Sequence, residues 1–294
     1  MNGGRFSSRD SRIQRVISGG QVSEKTVMQT SDEASVQTAS HSTSTPCDTA
    51  RGGDALGPRP EQVQSLDHGL AHPALRGIKM VAFDLDGTLI DSVPDLANAI
   101  DRMLVDEGLS ALGEDRVRDF VGNGARVLVE RALEAHGLAT DDLTRVERAH
   151  QCFLAHYAAD PSSRTRLYPG ARDCLEGLHQ AGVVVVLITN KPETFIEPLL
   201  SHFSLAEHFA LALGGDSLPT RKPDPAPLLF AAERLGVEPR EALMVGDSRH
   251  DIAAGRAAGF RTLAVPYGYN HGEPIARSHP DHIVESLAEL VVAG

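Results

Sequence analysis

The 294-residue sequence contains no tryptophan, only 4% aromatic residues and three cysteines. Without aromatic platforms the chain is poorly equipped to stack on nucleobases. Its formal charge of −12 repels nucleic acid and anionic membrane surfaces alike. Cys47, Cys152 and Cys174 are widely spaced and form no CxxC pair. That argues against a disulfide framework or a structural zinc site and suits a reducing cytoplasm. No apolar run approaches the ~20 residues of a membrane helix. The first twenty residues carry several arginines but no apolar segment of a secretory signal, and Asp10 argues against an organelle transit peptide. The sequence has no GxxxxGK, which speaks against a P-loop nucleotide enzyme. Its thirteen histidines include no HExxH, and His202 and His208 lack ligand spacing. Gly122-Asn123-Gly124 lacks the third glycine and the preceding strand of a dinucleotide loop.

What is present divides sharply. Residues 1–76 are rich in Ser, Thr, Gly, Gln, Asp and Arg without sustained periodicity, and are expected to be disordered because they cannot bury enough apolar surface to offset ordering. From Ile78 onward, short apolar runs recur: IKMVAF, VVVVLI from Val183, FALAL from Phe209, ALMV from Ala242 and TLAV from Thr262. Such runs are expected of strands buried on both faces of a parallel sheet. Helical patterns separate them, including Ala171–Gln180, stopped by Gly182, and a helix opened by Asp224-Pro225 and closed by Gly236. The expected fold is α/β, a doubly wound parallel sheet. Residues 95–164 break the alternation with helix after helix, and are expected to form a cap over the strand ends of a core made from 77–94 and 165–294.

Four strand-end elements carry the chemistry. Phe83-Asp84-Leu85-Asp86-Gly87-Thr88 places two carboxylates directly after an apolar strand, which costs free energy unless a cation or a proton compensates. Thr189-Asn190 ends a second strand. Lys222 precedes a helix start, where its ammonium can reach an anion. Gly246-Asp247 ends a further strand, with Asp251 four residues on and thus on the same helical face. Each alone reads more readily as a turn or a cap. Together, in this order, they resemble the four motifs of the haloacid dehalogenase superfamily, over about Ile78 to the C terminus. Within it the chain is similar to the phosphoglycolate phosphatase family, through Val121–Leu133, Arg221-Lys222-Pro223-Asp224-Pro225 and Tyr267-Gly268-Tyr269-Asn270-His271-Gly272.

The resemblance implies a magnesium-dependent phosphatase acting on a small phosphorylated substrate, 2-phosphoglycolate above all, as a monomer or homodimer without nucleic-acid or membrane partners. It assigns Asp84 as the nucleophile that becomes an aspartyl-phosphate and Asp86 as the acid and base. Asp84, Asp247 and the backbone carbonyl of Asp86 would hold Mg²⁺. Thr189, Asn190 and Lys222 would hold the phosphate, and Asp251 would orient Lys222 or a metal-bound water. Asn123, Gly124 and Arg126 of the cap are the expected selectors of the substrate carboxylate. His271 could line the pocket, but a loop histidine held by backbone bonds is the plainer expectation. A phosphomutase shares the first half-reaction, and a receiver-like phospho-acceptor also gathers acids and a lysine around magnesium but would lack the helical cap.

Overall fold

The computed structural model describes residues 72–291. Six parallel strands form the central sheet in the order β5-β4-β1-β6-β7-β8. They are β1 (Met80–Phe83), β4 (Val184–Ile188), β5 (Leu211–Leu213), β6 (Ala242–Gly246), β7 (Arg261–Ala264) and β8 (His282–Ile283). All four residues of β1 are buried, as a strand between two parallel neighbours with both faces covered must be.

The pleat divides its side chains between two apolar layers. Val81 and Phe83 join Val185, Leu187, Leu243 and Val245 in one layer, with Leu175 and Leu178 of helix α5 (Ala171–Gln180). Met80 and Ala82 join Val186, Ile188 and Met244 in the other. That second layer is closed by α7 (Ala226–Leu235) and α8 (Arg249–Ala258), through Leu228, Ala231, Ala254 and Ala258. Gly255 lets α8 lie close on the sheet, since a Cβ there would stand 2.7 Å from Thr262 Cγ2 and 3.0 Å from Met244 Cβ. Asp224 accepts the Ala226 N–H at 2.8 Å and so caps α7 as expected. Pro225 sits one position ahead of the first helical residue.

Between β1 and α5 the chain leaves the sheet and returns through a two-stranded antiparallel ribbon, β2 (Ile90–Asp91) and β3 (Arg166–Leu167). The excursion holds α1 (Val93–Asp106), α2 (Glu114–Arg118), α3 (Ala125–Glu134) and α4 (Leu143–Ala159). Buried Ile100, Met103, Leu133, Val146 and Phe153 pack among them. Buried Asp95 ties the outgoing and returning segments, accepting from the Thr165 N–H at 2.7 Å and hydroxyl at 2.6 Å. Neither ribbon strand nor β8 was foreseeable, because a two-residue strand carries no periodicity.

Residues 1–71, with Cys47 and nearly all of the segment expected to be disordered, lie outside the described residues. At its end the expectation needs correction. Pro73–Leu75 forms a 3₁₀ turn with Ala74 and Leu75 buried, because these two apolar side chains find the core. The Arg261 guanidinium donates to the carbonyls of Ala74 at 2.5 Å and Arg76 at 3.1 Å. No helix among the described residues is long and apolar enough to cross a membrane.

Candidate active site

The strand order places the site. From β1 the chain adds β4 and β5 on one side, then crosses to add β6, β7 and β8 on the other. Such a reversal opens a crevice at the carboxyl ends of the central strands. Phe83 pairs with Leu187 and Val245, so the three strands end at matching heights. Asp84, Thr189 and Asp247 each follow one of those ends.

Backbone without side chains brings the acids together. Gly87 has φ 88°, and a Cβ there would stand 2.2 Å from Asp247 Oδ2. Only glycine accepts that conformation at that approach. Asp247 is fixed by the Thr88 hydroxyl, which donates to Oδ1 at 2.7 Å, and by the Tyr269 N–H, which donates to Oδ2 at 2.6 Å. Asp247 does not cap the following helix. Ser248 and Asp251 do, as a reciprocal capping box in which Asp251 Oδ2 accepts the Ser248 N–H at 3.0 Å.

Asp84, Asp247 and Asp251 are buried, with carboxylate oxygens within 4.8 Å of one another. Lys222 Nζ lies 2.9 Å from Asp84 Oδ1 and 2.6 Å from Asp251 Oδ1, and also donates to the Ile188 carbonyl. Burial works against this ammonium, but Asp251 and then Asp84 outweigh it and lift its pKa. Burial raises Asp84 to about 6 against the pull of Lys222, with Asp251 adding repulsion. Asp247 is pushed well above the usual carboxylate range by burial, then by Asp251 and Asp84. Three buried carboxylates around a single ammonium leave negative charge uncompensated. The donors are hard oxygens, so the cluster suits a divalent cation such as Mg²⁺. Asp251 already has both oxygens engaged, by Lys222 and Ser248. Asp247 is also bonded at both oxygens, by neutral donors, but it follows a strand end as Asp84 does, whereas Asp251 lies within α8, so Asp84 and Asp247 are the better placed ligands.

Asp86 faces away from that cluster. Its Oδ1 accepts from the Ser92 hydroxyl at 2.6 Å, and Lys191 Nζ lies 3.0 Å and 3.1 Å from its two oxygens. Asp84, Asp86, Thr189 and Asn190 line one pocket together with Gly122 and Gly124 of the helical segment. The Asn190 side-chain NH₂ donates to the carbonyls of Gly122 at 3.0 Å and Lys222 at 2.9 Å. It thereby staples the helical excursion to the core, and its NH₂ is committed to backbone.

The expected selectors are placed differently from one another. Gly124 lines the pocket. Asn123 meets His250, Nδ2 to Nε2, at 2.8 Å, and burial lowers that histidine to about 4, so it accepts as a neutral ring. Arg126 is not brought to the pocket. It pairs with Glu130 at 3.1 Å and Glu147 at 2.7 Å on the outer surface. His271 contacts the Asp119 carbonyl at 2.9 Å, the expected role of a loop histidine.

Lys191 and Tyr157 were not singled out from sequence, and Thr88 and Tyr269 stood within motifs without a role of their own. Lys191 directly follows Thr189-Asn190, and that adjacency was the available signal. Tyr157 lies inside the apolar stripe of α4 and had none.

Residues 78–259 match the family model of the haloacid dehalogenase-like hydrolases. The chain is 48% identical over 222 residues to phosphoglycolate phosphatase 1 of Pseudomonas aeruginosa, covering 74% of this chain and 80% of that one. It is 46% identical over 216 residues to the phosphoglycolate phosphatase of Vibrio parahaemolyticus, covering 73% and 95%. The crystal structure of a predicted phosphoglycolate phosphatase from Haemophilus somnus superposes with a TM-score of 0.68 at 37% identity, covering 72% of this chain and 96% of that one.

Proposed function

The chain belongs to the haloacid dehalogenase-like hydrolases, in their phosphoglycolate phosphatase family, and on that premise we propose that this phosphoric monoester hydrolase converts 2-phosphoglycolate to glycolate and phosphate through an aspartyl-phosphate on Asp84. The observation that carries the reading is the convergence of Asp84, Asp247 and Lys222 from three separate chain segments on one buried point. Helices α1–α4 and their connecting loops act as a cap, contributing Gly122, Gly124, Phe153 and Tyr157 to the pocket wall.

Asp84 and Asp247, with the backbone carbonyl of Asp86, would hold Mg²⁺, which when bound supplies the positive charge that offsets repulsion between a carboxylate and a phosphate dianion. Lys222 holds Asp84 by its ion pair and stands ready to meet a phosphoryl oxygen. An Asp84 oxygen attacks phosphorus while the P–O bond to the glycolate oxygen breaks. The electron pair stays on that oxygen, which takes a proton from Asp86. A water then attacks phosphorus, Asp86 removes its proton, and phosphate leaves with Asp84 restored. Thr189 lies at the pocket beside Asp84 and Asp86, where its hydroxyl can hold an equatorial phosphoryl oxygen. Asp251 keeps Lys222 in place.

The test is phosphate release from 2-phosphoglycolate by purified protein with Mg²⁺ and no sugar-bisphosphate activator. Release that Asp84→Asn abolishes supports the reading. No release from this ester, while other phosphate esters are hydrolysed, would reject the substrate.

A further inference from the structure

The pocket that holds Asp84 also holds a buried cation with no part in the chemistry just described. Lys191 is 4% exposed and is the one cationic side chain among the described residues lining that pocket. Its ammonium has three N–H donors. Asp86 accounts for two, at 3.0 Å and 3.1 Å. The ammonium also sits 4.7 Å from the centre of the Tyr157 ring. Tyr157 is 1% exposed, and the Lys191 ammonium, itself only a donor, stands beside its hydroxyl, whose own proton has no acceptor, although such groups normally find one when buried. Lys191 comes from the loop after β4 and Tyr157 from α4, so the two face each other across the join between core and helices. The rival cations are elsewhere. Arg126 is held by Glu130 and Glu147, and exposed Arg221 is not among the lining residues.

We propose that Lys191 and Tyr157 form the acid-reading end of the pocket, with the Lys191 ammonium and the Tyr157 hydroxyl both donating to a carboxylate carried by the phosphate ester. The inference rests on the phosphatase reading above and names the class of substrate, a short phosphorylated carboxylic acid. An ester without a carboxylate would leave the Tyr157 proton without an acceptor and Lys191 with only Asp86 and Tyr157 for partners. Sites built to bond a substrate group discriminate strongly against analogues that lack it.

Two matched pairs test this, 2-phosphoglycolate against ethyl phosphate and 3-phosphoglycerate against glycerol 3-phosphate, each compared by kcat/KM. Lys191→Met should lower the preference for the acid by about 30-fold, mainly through KM, as expected for loss of a charged hydrogen bond. Lys191→Arg should restore part of it, and Tyr157→Phe should lower it by about 12-fold, as for one hydrogen bond to a charged acceptor. If Lys191→Met slows both members of each pair equally, Lys191 serves only Asp86 and the inference is overturned. Should Lys191→Met fail to fold, Tyr157→Phe decides, since it removes one oxygen, and an unchanged preference overturns the inference. A wild type that prefers 3-phosphoglycerate but not 2-phosphoglycolate, with the preference lost in Lys191→Met, rejects the substrate proposed above and supports Lys191. A wild type that prefers 2-phosphoglycolate, with the preference kept in Lys191→Met, does the reverse. No preference in either pair overturns the inference.

Discussion

The Tyr269 backbone N–H donates to Asp247 Oδ2 at 2.6 Å, across 22 residues of sequence. That bond requires the two backbones to pass very close. A Cβ at Gly268 would stand 2.3 Å from Asp247 Cβ and 2.4 Å from the Gly87 carbonyl oxygen. Gly268→Ala should therefore push Asp247 out of place and cost about 1–3 kcal/mol of stability, as overpacked sites do. In Mg²⁺ titrations of turnover, half-saturation should move upward. An unchanged melting temperature and unchanged half-saturation would refute the close approach.

Asp84 is predicted to destabilise the metal-free protein above mildly acidic pH. Its carboxyl rises from 3.8 to about 6 on folding. A raised acid contributes stability below its unfolded value and loses it as pH climbs through its folded value. The shift corresponds to at most roughly 3 kcal/mol. The uncharged Asp84→Asn should thus be more stable than wild type at pH 7.5 in chelator, by about 1–3 kcal/mol. Near pH 4 the gap should close. Denaturant melts at the two pH values provide the check, and a less stable Asp84→Asn at pH 7.5 would sink it.

Mg²⁺ should reverse that order at neutral pH. A ligand that binds only the folded state stabilises by about 2.7 kcal/mol at a hundredfold excess over its Kd. Wild type should gain in proportion, whereas Asp84→Asn and Asp247→Asn should gain much less. Chelation should abolish phosphate release, with recovery on adding Mg²⁺. Equal stabilisation of all three proteins would place the cation elsewhere.

Asn190 holds the Gly122 and Lys222 carbonyls at once. Asn190→Ala leaves both unpaired and should cost about 1–3 kcal/mol. Because the Gly122 loop lines the pocket, KM for the substrate should rise several-fold. Faster amide hydrogen exchange around residues 121–125 would locate the loosening there, and unchanged exchange would argue against a staple.

Arg126→Ala should leave the preference for 2-phosphoglycolate over ethyl phosphate unchanged to within about twofold, because exposed ion pairs contribute little and its partners lie outside the pocket. A large loss of preference would mean that the loop rearranges when substrate binds.

Much of this was legible in the chain itself. The apolar runs before Asp84, Thr189 and Asp247 announce buried parallel strands because both faces of each strand are covered, so no polar alternation interrupts them. Strand ends of that kind deliver polar residues to one edge, and the order of the motifs then points to one crevice. Short-range signals also sufficed for the stop at Gly236 and the cap at Asp224, since each satisfies backbone groups within a few residues.

Tertiary structure alone decided where the long side chains point. A guanidinium on a helix such as that of Arg126 can turn inward or outward at similar local cost; its i+4 neighbour Glu130 was a local cue, but Glu147, which also holds it outside, comes from another helix. Lys191 and Tyr157 stand 34 residues apart on different elements, and nothing local to either implies their meeting at the pocket. Asn190, by its type a phosphate donor, spends its NH₂ on two backbone carbonyls that only the closed fold brings within reach. Local sequence sets backbone geometry through forces that act over a few residues, whereas the partner of a buried polar group is set by whatever the rest of the chain leaves beside it.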